Sequence, residues 1–148
     1  MLFRSATAWL TAPEFSEVHR PVYLERDERA GSKEGECKSI EASLGRLEGL
    51  GLIERDPSIE IRWSKEEERG SAARSSVLMR LIVIDRALDS DDVPDSALDL
   101  AVLKHLALIR AGFLAEPLRR DREVEDALSR YPGFDGTIEW MEDHGINL

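Results

Sequence analysis

The sequence has a single cysteine, Cys37, among its 148 residues, so no disulfide can form within the chain. Such sparse cysteine usage is typical of a reducing compartment, and we expect a cytoplasmic protein. No apolar run approaches the roughly 18 residues that a membrane helix needs, and the apolar stretch near the start is too short to predict a signal peptide. With 42% hydrophobic residues, however, the chain is too apolar for a disordered protein, and its length suits one domain with a core.

Side chains that could carry catalysis are also few. The three histidines, His19, His105 and His144, lie far apart in the chain and form no H-E-x-x-H pair. Neither a Walker sequence nor a G-x-S-x-G motif occurs, and the chain has too little cysteine and histidine for a structural zinc site. We therefore predict a protein that is not an enzyme and that has no cofactor and no metal site.

The acidic segment at residues 85–95 does not match a calcium-binding loop. Counted from Asp89, the sixth and twelfth positions hold Pro94 and Leu100, where such a loop needs glycine and glutamate. We expect these acids to solvate a turn and to favour the start of the next helix. An enzymatic alternative stays open only if folding gathers Cys37 or these acids around a histidine.

Acidic residues outnumber basic residues by 30 to 20, which gives a formal charge of −10. The first 63 residues have 9 basic and 12 acidic side chains, and the rest of the chain has 11 and 18. This charge favours solubility and repels polyphosphate at long range, so DNA binding would require a local basic face.

Apolar periodicity predicts several short elements in the first half. Leu2, Phe3, Ala6, Trp9 and Leu10 have helical spacing. A capping box at residues 11–14 predicts a second short helix that ends at Pro21, followed by a short strand at 22–24 and an exposed polar loop over 25–36. From Ser39 a helical stripe returns, Gly51 is expected to end that helix, and residues 52–55 and 59–63 are predicted to form a hairpin around a proline turn.

The second half is predicted to be helical. We expect a helix that is polar over 64–76 and apolar from Val77 to Leu88, although the β-branched residues of this run leave a buried strand as an alternative. Residues 96–113 predict a helix that is apolar nearly all round and therefore central to a core or a subunit interface. Two further helices are expected, one from Pro117 to about Tyr131 and a short one over 137–143.

One segment resembles a known family. Residues 39–63 are similar to the recognition helix and wing of winged-helix regulators, in particular the PadR and MarR families. The resemblance is carried by Leu44, Leu47, Glu48, Gly51, Leu52, Ile53 and Glu54. It implies that the outer face of the helix enters the DNA major groove and that the wing contacts phosphates. The implied DNA-binding residues are Lys38, Ser39, Ser43 and Arg46 on the helix, with Arg55 and Arg62 on the wing.

The predicted fold class is mainly α with a small β-hairpin. A winged-helix-like unit would span residues 1–63, and a helical part would span 64–148, although the two could form one continuous domain. The predicted function is a DNA-binding transcriptional regulator that acts on double-stranded DNA as a homodimer, with its two recognition helices about one DNA turn apart.

The alternative function is an acidic protein-interaction adaptor or a small subunit of a larger prokaryotic or phage assembly. Its extreme form is a nucleic-acid mimic. This alternative is based on the charge of −10 and on Glu36, Glu41 and Asp56, which lie where a DNA-binding surface would be basic. A positive strip along residues 38–46 would favour DNA as the partner, and a negative one would favour a protein.

Overall fold

A computed structural model describes residues 32–68, 70–112 and 116–148. The predicted helices and strand before residue 25, and most of the predicted loop over 25–36, lie outside these residues. The described elements are helix α1 (Ile40–Gly49), strands β1 (Glu60–Trp63), β2 (Ala73–Ser76) and β3 (Leu81–Ile84), a 3₁₀ turn (Arg86–Leu88), and helices α2 (Asp95–Ala111), α3 (Pro117–Ser129) and α4 (Phe134–Asp143). No helix among them is long and apolar enough to cross a membrane.

Helix α1 begins and ends where its sequence predicts. The hydroxyl of Ser39 accepts a hydrogen bond of 3.1 Å from the backbone N–H of Ala42, which caps the first turn. Gly51 follows the helix with φ +75°, a left-handed conformation that glycine adopts without a steric penalty. Ile40 and Leu47 are buried, so the predicted apolar stripe fixes this helix on the core.

The three strands form one mixed sheet in the order β1-β3-β2. β1 and β3 are parallel, with Glu60 opposite Leu81, and β2 and β3 form an antiparallel hairpin, with Ala73 opposite Ile84. The predicted strand at 59–63 is therefore confirmed as β1. The predicted hairpin is wrong, because residues 52–55 are not a strand and β1 pairs with β3 instead.

The predicted helix over residues 64–88 is also wrong. β3 lies within its apolar part, and all four β3 residues are buried, which agrees with the strand alternative for this β-branched run. Its polar part contains β2, and just before that strand the backbone N–H of Ala72 donates to the carbonyl of Asn147 at 2.7 Å. The hydroxyl of Ser64 donates to the carbonyl of Glu66 and accepts from the N–H of Arg86.

Helix α2 is the centre of the core, and the helix predicted at 96–113 is confirmed. It packs against β2, β3, α1, α3 and α4 of the same chain, so its apolar faces are covered within the monomer. The helices predicted from Pro117 and over 137–143 are confirmed as α3 and α4, and α4 begins three residues earlier, after Gly133 at φ +77°.

The described residues form a mixed arrangement of helices and one small sheet. That sheet joins strands from both sides of residue 63, and one hydrophobic cluster contains residues from both predicted parts, including Leu47 and Leu98. The β2–β3 hairpin is a small hairpin of the predicted kind, but it lies beyond the segment that resembles a winged helix.

Candidate protein-interaction site

Two polar side chains of α1, Ser43 and Arg46, face the protein interior, where they meet a buried carboxylate. Asp99, about one turn after the start of α2, is 1% exposed. Ser43 Oγ donates to it at 2.6 Å, Arg46 Nε and Nη2 donate at 2.9 and 2.8 Å, and the hydroxyl of Tyr131 donates at 2.7 Å. This set, here called the Asp99 cluster, ties α1 and the residues after α3 to α2.

The Asp99 carboxylate stabilises the protonated forms of its donors Tyr131 and Arg46. Burial, followed by the hydrogen bond to Asp99 and its negative charge, raises the pKa of Tyr131 well above its ordinary value of 10. The hydrogen bond to Asp99 likewise raises the pKa of Arg46. A bidentate guanidinium and two hydroxyls satisfy the buried carboxylate, so the cluster positions α1 and leaves no free group for chemistry.

The residues predicted to contact DNA from the helix are instead engaged in contacts within the protein. Ser43 is fully buried and Arg46 is held by Asp99, so both lie on the face that packs against α2. The side chain of Lys38 is only 7% exposed and donates to Asp95 at 2.9 Å. Ser39 uses its hydroxyl to cap α1.

The chain before α1 folds around a second carboxylate. Asp89 accepts hydrogen bonds from the backbone N–H groups of Glu36, Cys37 and Lys38 at 2.7, 2.8 and 2.9 Å. Burial alone would raise the pKa of Asp89, but these three donors, with Arg86, lower it below its ordinary value. This contact between residues more than 50 positions apart fixes where α1 starts.

The two arginines that were predicted to lie on a wing do not form a basic strip with the predicted DNA-binding residues of the helix. Arg55 lies over the outer side of α1, where it donates to Glu48 at 3.1 Å and to Glu41. Arg62, on β1, donates to Glu60 at 3.0 Å. Both arginines are thus engaged by neighbouring carboxylates, and the charged side chains that α1 itself exposes are the acids Glu41 and Glu48.

Beside α1 the surface opens into an apolar groove of about 530 Å³, here called the α1 groove. Its apolar lining comes from α1, from the segment before β1, from β1 and from α2. The lining residues are Ile40, Leu44, Ile53, Ile59, Ile61 and Leu106. This volume lies in the range of natural ligand pockets, and an apolar lining with few polar groups is typical of them.

Charged side chains surround the α1 groove, and most of them have a partner. Arg55 is paired with Glu41, Asp56 with Arg80 at 2.9 Å, and Lys33 with Glu60 at 3.5 Å. The carboxylate of Glu54 has no ion-pair partner among the described residues, and it also borders a second cleft of about 390 Å³ on the other side of Ile53. An unpaired negative charge at the rim favours a cation beside an apolar segment.

Within the described ranges, no group of three or more histidines, cysteines or acids is arranged to hold a metal ion. Asp85 caps the 3₁₀ turn, and Cys37 is exposed. The sequence alone does not predict the α1 groove, because the walls of the groove come from segments that only the tertiary fold brings together.

His105 is the one buried histidine of the described part. Its Nδ1 lies 2.7 Å from Ser75 Oγ, and its buried Nε2 has no hydrogen-bond partner there. Burial, together with the charge of Lys104, lowers the pKa of His105 to about 3, so the ring is neutral at physiological pH.

We expect His105→Leu either to lower the free energy of unfolding by less than about 1 kcal/mol or to raise it. An unsatisfied buried polar group costs about 1–3 kcal/mol, and the half-buried Ser75 can turn to water when the ring is gone. Ser75→Ala should instead destabilise by about 1–3 kcal/mol, because it leaves both ring nitrogens without a partner. Urea unfolding measures both variants, and a loss above about 2 kcal/mol for His105→Leu would give the ring a stabilising role.

Comparison with known proteins adds no assignment: no protein family, no curated protein and no solved structure matches the chain.

Proposed function

We propose that the protein is a protein-interaction module whose α1 groove binds an apolar segment of a partner protein. The observation that carries this proposal is the open apolar groove itself, with Leu44 and Ile61 only partly buried at its surface. An apolar concavity bordered by charged side chains is how globular proteins take up a partner helix or strand.

The charges around the groove define the partner further. Glu54 is the rim charge without a described ion-pair partner, and the chain as a whole has a charge of −10. A partner segment with Lys or Arg next to its apolar residues would therefore associate faster and fit better than an acidic one. The expected ligand is a short apolar segment with one or more basic residues at its flank.

The test is a peptide-display selection on the full chain, run in parallel on Leu44→Glu and Leu50→Glu. Leu44 lines the groove, whereas Leu50 is the C-cap residue that follows α1, lies outside the groove and is 47% exposed. Wild type and Leu50→Glu should enrich apolar peptides with basic flanks, and Leu44→Glu should lose them, because a carboxylate in the groove must be desolvated when a peptide binds. Equal enrichment on all three chains, or none, would reject the proposal.

DNA binding through α1 stays a prediction with its own test. A DNA-bound state would require Arg46 to exchange a buried carboxylate for a phosphate, which makes a contact through this residue costly. The measurement is the affinity for duplex DNA from upstream of the protein's own coding sequence, at two salt concentrations. A sequence-dependent, salt-sensitive complex would support the regulator function over the adaptor. Light scattering on the same sample tests the predicted homodimer.

A further inference from the structure

We propose that the partner segment continues from the α1 groove into the cleft beside it, where an acidic residue of the partner pairs with Arg110. This cleft of about 390 Å³ lies between α2, α3 and the segment before β1, and is here called the α2–α3 cleft. The inference rests on the proposed function, because it extends the same peptide along the surface. It adds that the partner is recognised at two apolar positions and by charges of both signs.

The α1 groove and the α2–α3 cleft are parts of one continuous surface. The residues that line both are Ile53, Glu54, Asp56, Ile59 and Leu106. Beyond this shared lining, the cleft has accessible apolar side chains of its own, since Leu52, Ala107 and Ala127 are only partly buried. A peptide that leaves the α1 groove past Glu54 therefore meets a second open apolar surface.

The α2–α3 cleft differs from the α1 groove in having arginines without a partner. Neither Arg110 nor Arg130 has an ion pair or a side-chain hydrogen bond among the described residues. Arg130 lies four residues after Asp126, which also lines the cleft, so these opposite charges on successive turns offset each other. Arg110, by contrast, has no acid within five residues on either side of it in the sequence.

Arg110 and Arg130 lie at opposite ends of the cleft. Tyr131 donates to Asp99 near the start of α2, whereas Arg110 is in the last turn of that helix. Since a helix rises about 1.5 Å per residue, about 16 Å of α2 separate Asp99 from Arg110. Another acid of the cleft, Glu123, has Arg119 at 3.7 Å. The Arg110 end of the cleft therefore favours a carboxylate supplied by the partner.

A peptide-display selection with a charge reversal tests the proposal. The library contains random peptides of about 12 residues, which extend to about 40 Å. The full chain should enrich peptides with a basic residue between two apolar positions and an acid at one end, and Arg110→Glu should enrich a lysine or arginine in place of that acid. Arg122→Glu is the matched control, because Arg122 is exposed on α3 and lines neither opening. It should enrich the same peptides as wild type.

Fluorescence anisotropy distinguishes a failure of this inference from a failure of the proposed function. The probes are one selected peptide and its version with the acid replaced by lysine. Arg110→Glu should weaken binding of the first probe about 3–10-fold and strengthen binding of the second, while Arg122→Glu should change neither.

The contradicting outcomes are separate. Peptides that depend on Leu44 but have no preferred acid, or that bind Arg110→Glu as well as wild type, would overturn the inference and leave the α1 groove as a binding site. The absence of any peptide whose binding Leu44→Glu abolishes would overturn both the inference and the proposed function.

Discussion

Asp99→Ala is expected to destabilise the protein by about 3–5 kcal/mol. The substitution leaves the Arg46 guanidinium and the hydroxyls of Ser43 and Tyr131 without the acceptor they share, and breaking a buried pair on one side typically costs this much. Urea unfolding followed by circular dichroism measures the loss. We expect α1 to be the element most affected, because two of the three donors lie on it.

Asp91→Ala is the control, because Asp91 is an exposed acid in the turn before α2 and has no ion pair among the described residues. Its removal should change the free energy of unfolding by less than about 0.5 kcal/mol. A second readout is the tyrosine absorbance: removing Asp99 should bring the pKa of Tyr131 down toward its ordinary value of 10. Equal losses for both variants, or an unchanged Tyr131 titration, would contradict the described cluster.

Asp89→Ala is expected to cost about 2–4 kcal/mol. The Asp89 side chain is 1% exposed and accepts hydrogen bonds from three successive backbone N–H groups. A hydrogen bond to a charged acceptor contributes about 1.5–3 kcal/mol, and the expected total is smaller than three such bonds because the donors are partly exposed to water. The turn is tightly packed, since a Cβ on Gly35 would lie 2.3 Å from the carbonyl of Lys38. Asp92→Ala, an exposed acid on the same loop, should change stability by less than about 0.5 kcal/mol.

The acid side of the stability curve provides a second check of the same contact. Because the pKa of Asp89 is lower in the folded chain than in the unfolded chain, its contribution is present above the unfolded value of about 3.9 and is lost as the pH falls through the folded value. Below about pH 4, the free energy of unfolding should therefore fall less steeply with decreasing pH in Asp89→Ala than in Asp92→Ala. Parallel acid curves would contradict the low pKa of Asp89.

Local patterns predicted the four described helices well, but they also predicted a helix over 64–88, where the chain forms two strands, and they predicted the strand pairing poorly. α1, α2, α3 and α4 each carry periodic apolar positions and end signals, which a sequence displays directly. β3 lies in a run whose apolar residues fit a helix and a buried strand equally well. The partner of β1 depends on a parallel pairing across about 20 residues, and no local signal encodes that choice.

The polar face of α1 shows why site residues were harder to predict. From sequence, Ser43 and Arg46 form a free face of an amphipathic helix, and their partner lies more than 50 residues away. A signal was nevertheless present: Asp99 is an acid between Leu98 and Leu100 in a helix that the sequence predicts to be apolar nearly all round. An acid in such a position requires a buried partner, and a serine with an arginine three residues later can supply it.

The most direct test of the proposed function is a chemical-shift titration of the ¹⁵N-labelled full chain. The probe is a synthetic apolar peptide with a basic flank, taken from the display selection. We predict that the shifts of the backbone amides concentrate at Ile40, Leu44, Ile53 and Ile61, and that Glu54→Lys weakens binding several-fold. Shifts that spread evenly over the protein, or that centre on the residues after α3 and leave the groove unchanged, would contradict the assignment of this groove as a binding site.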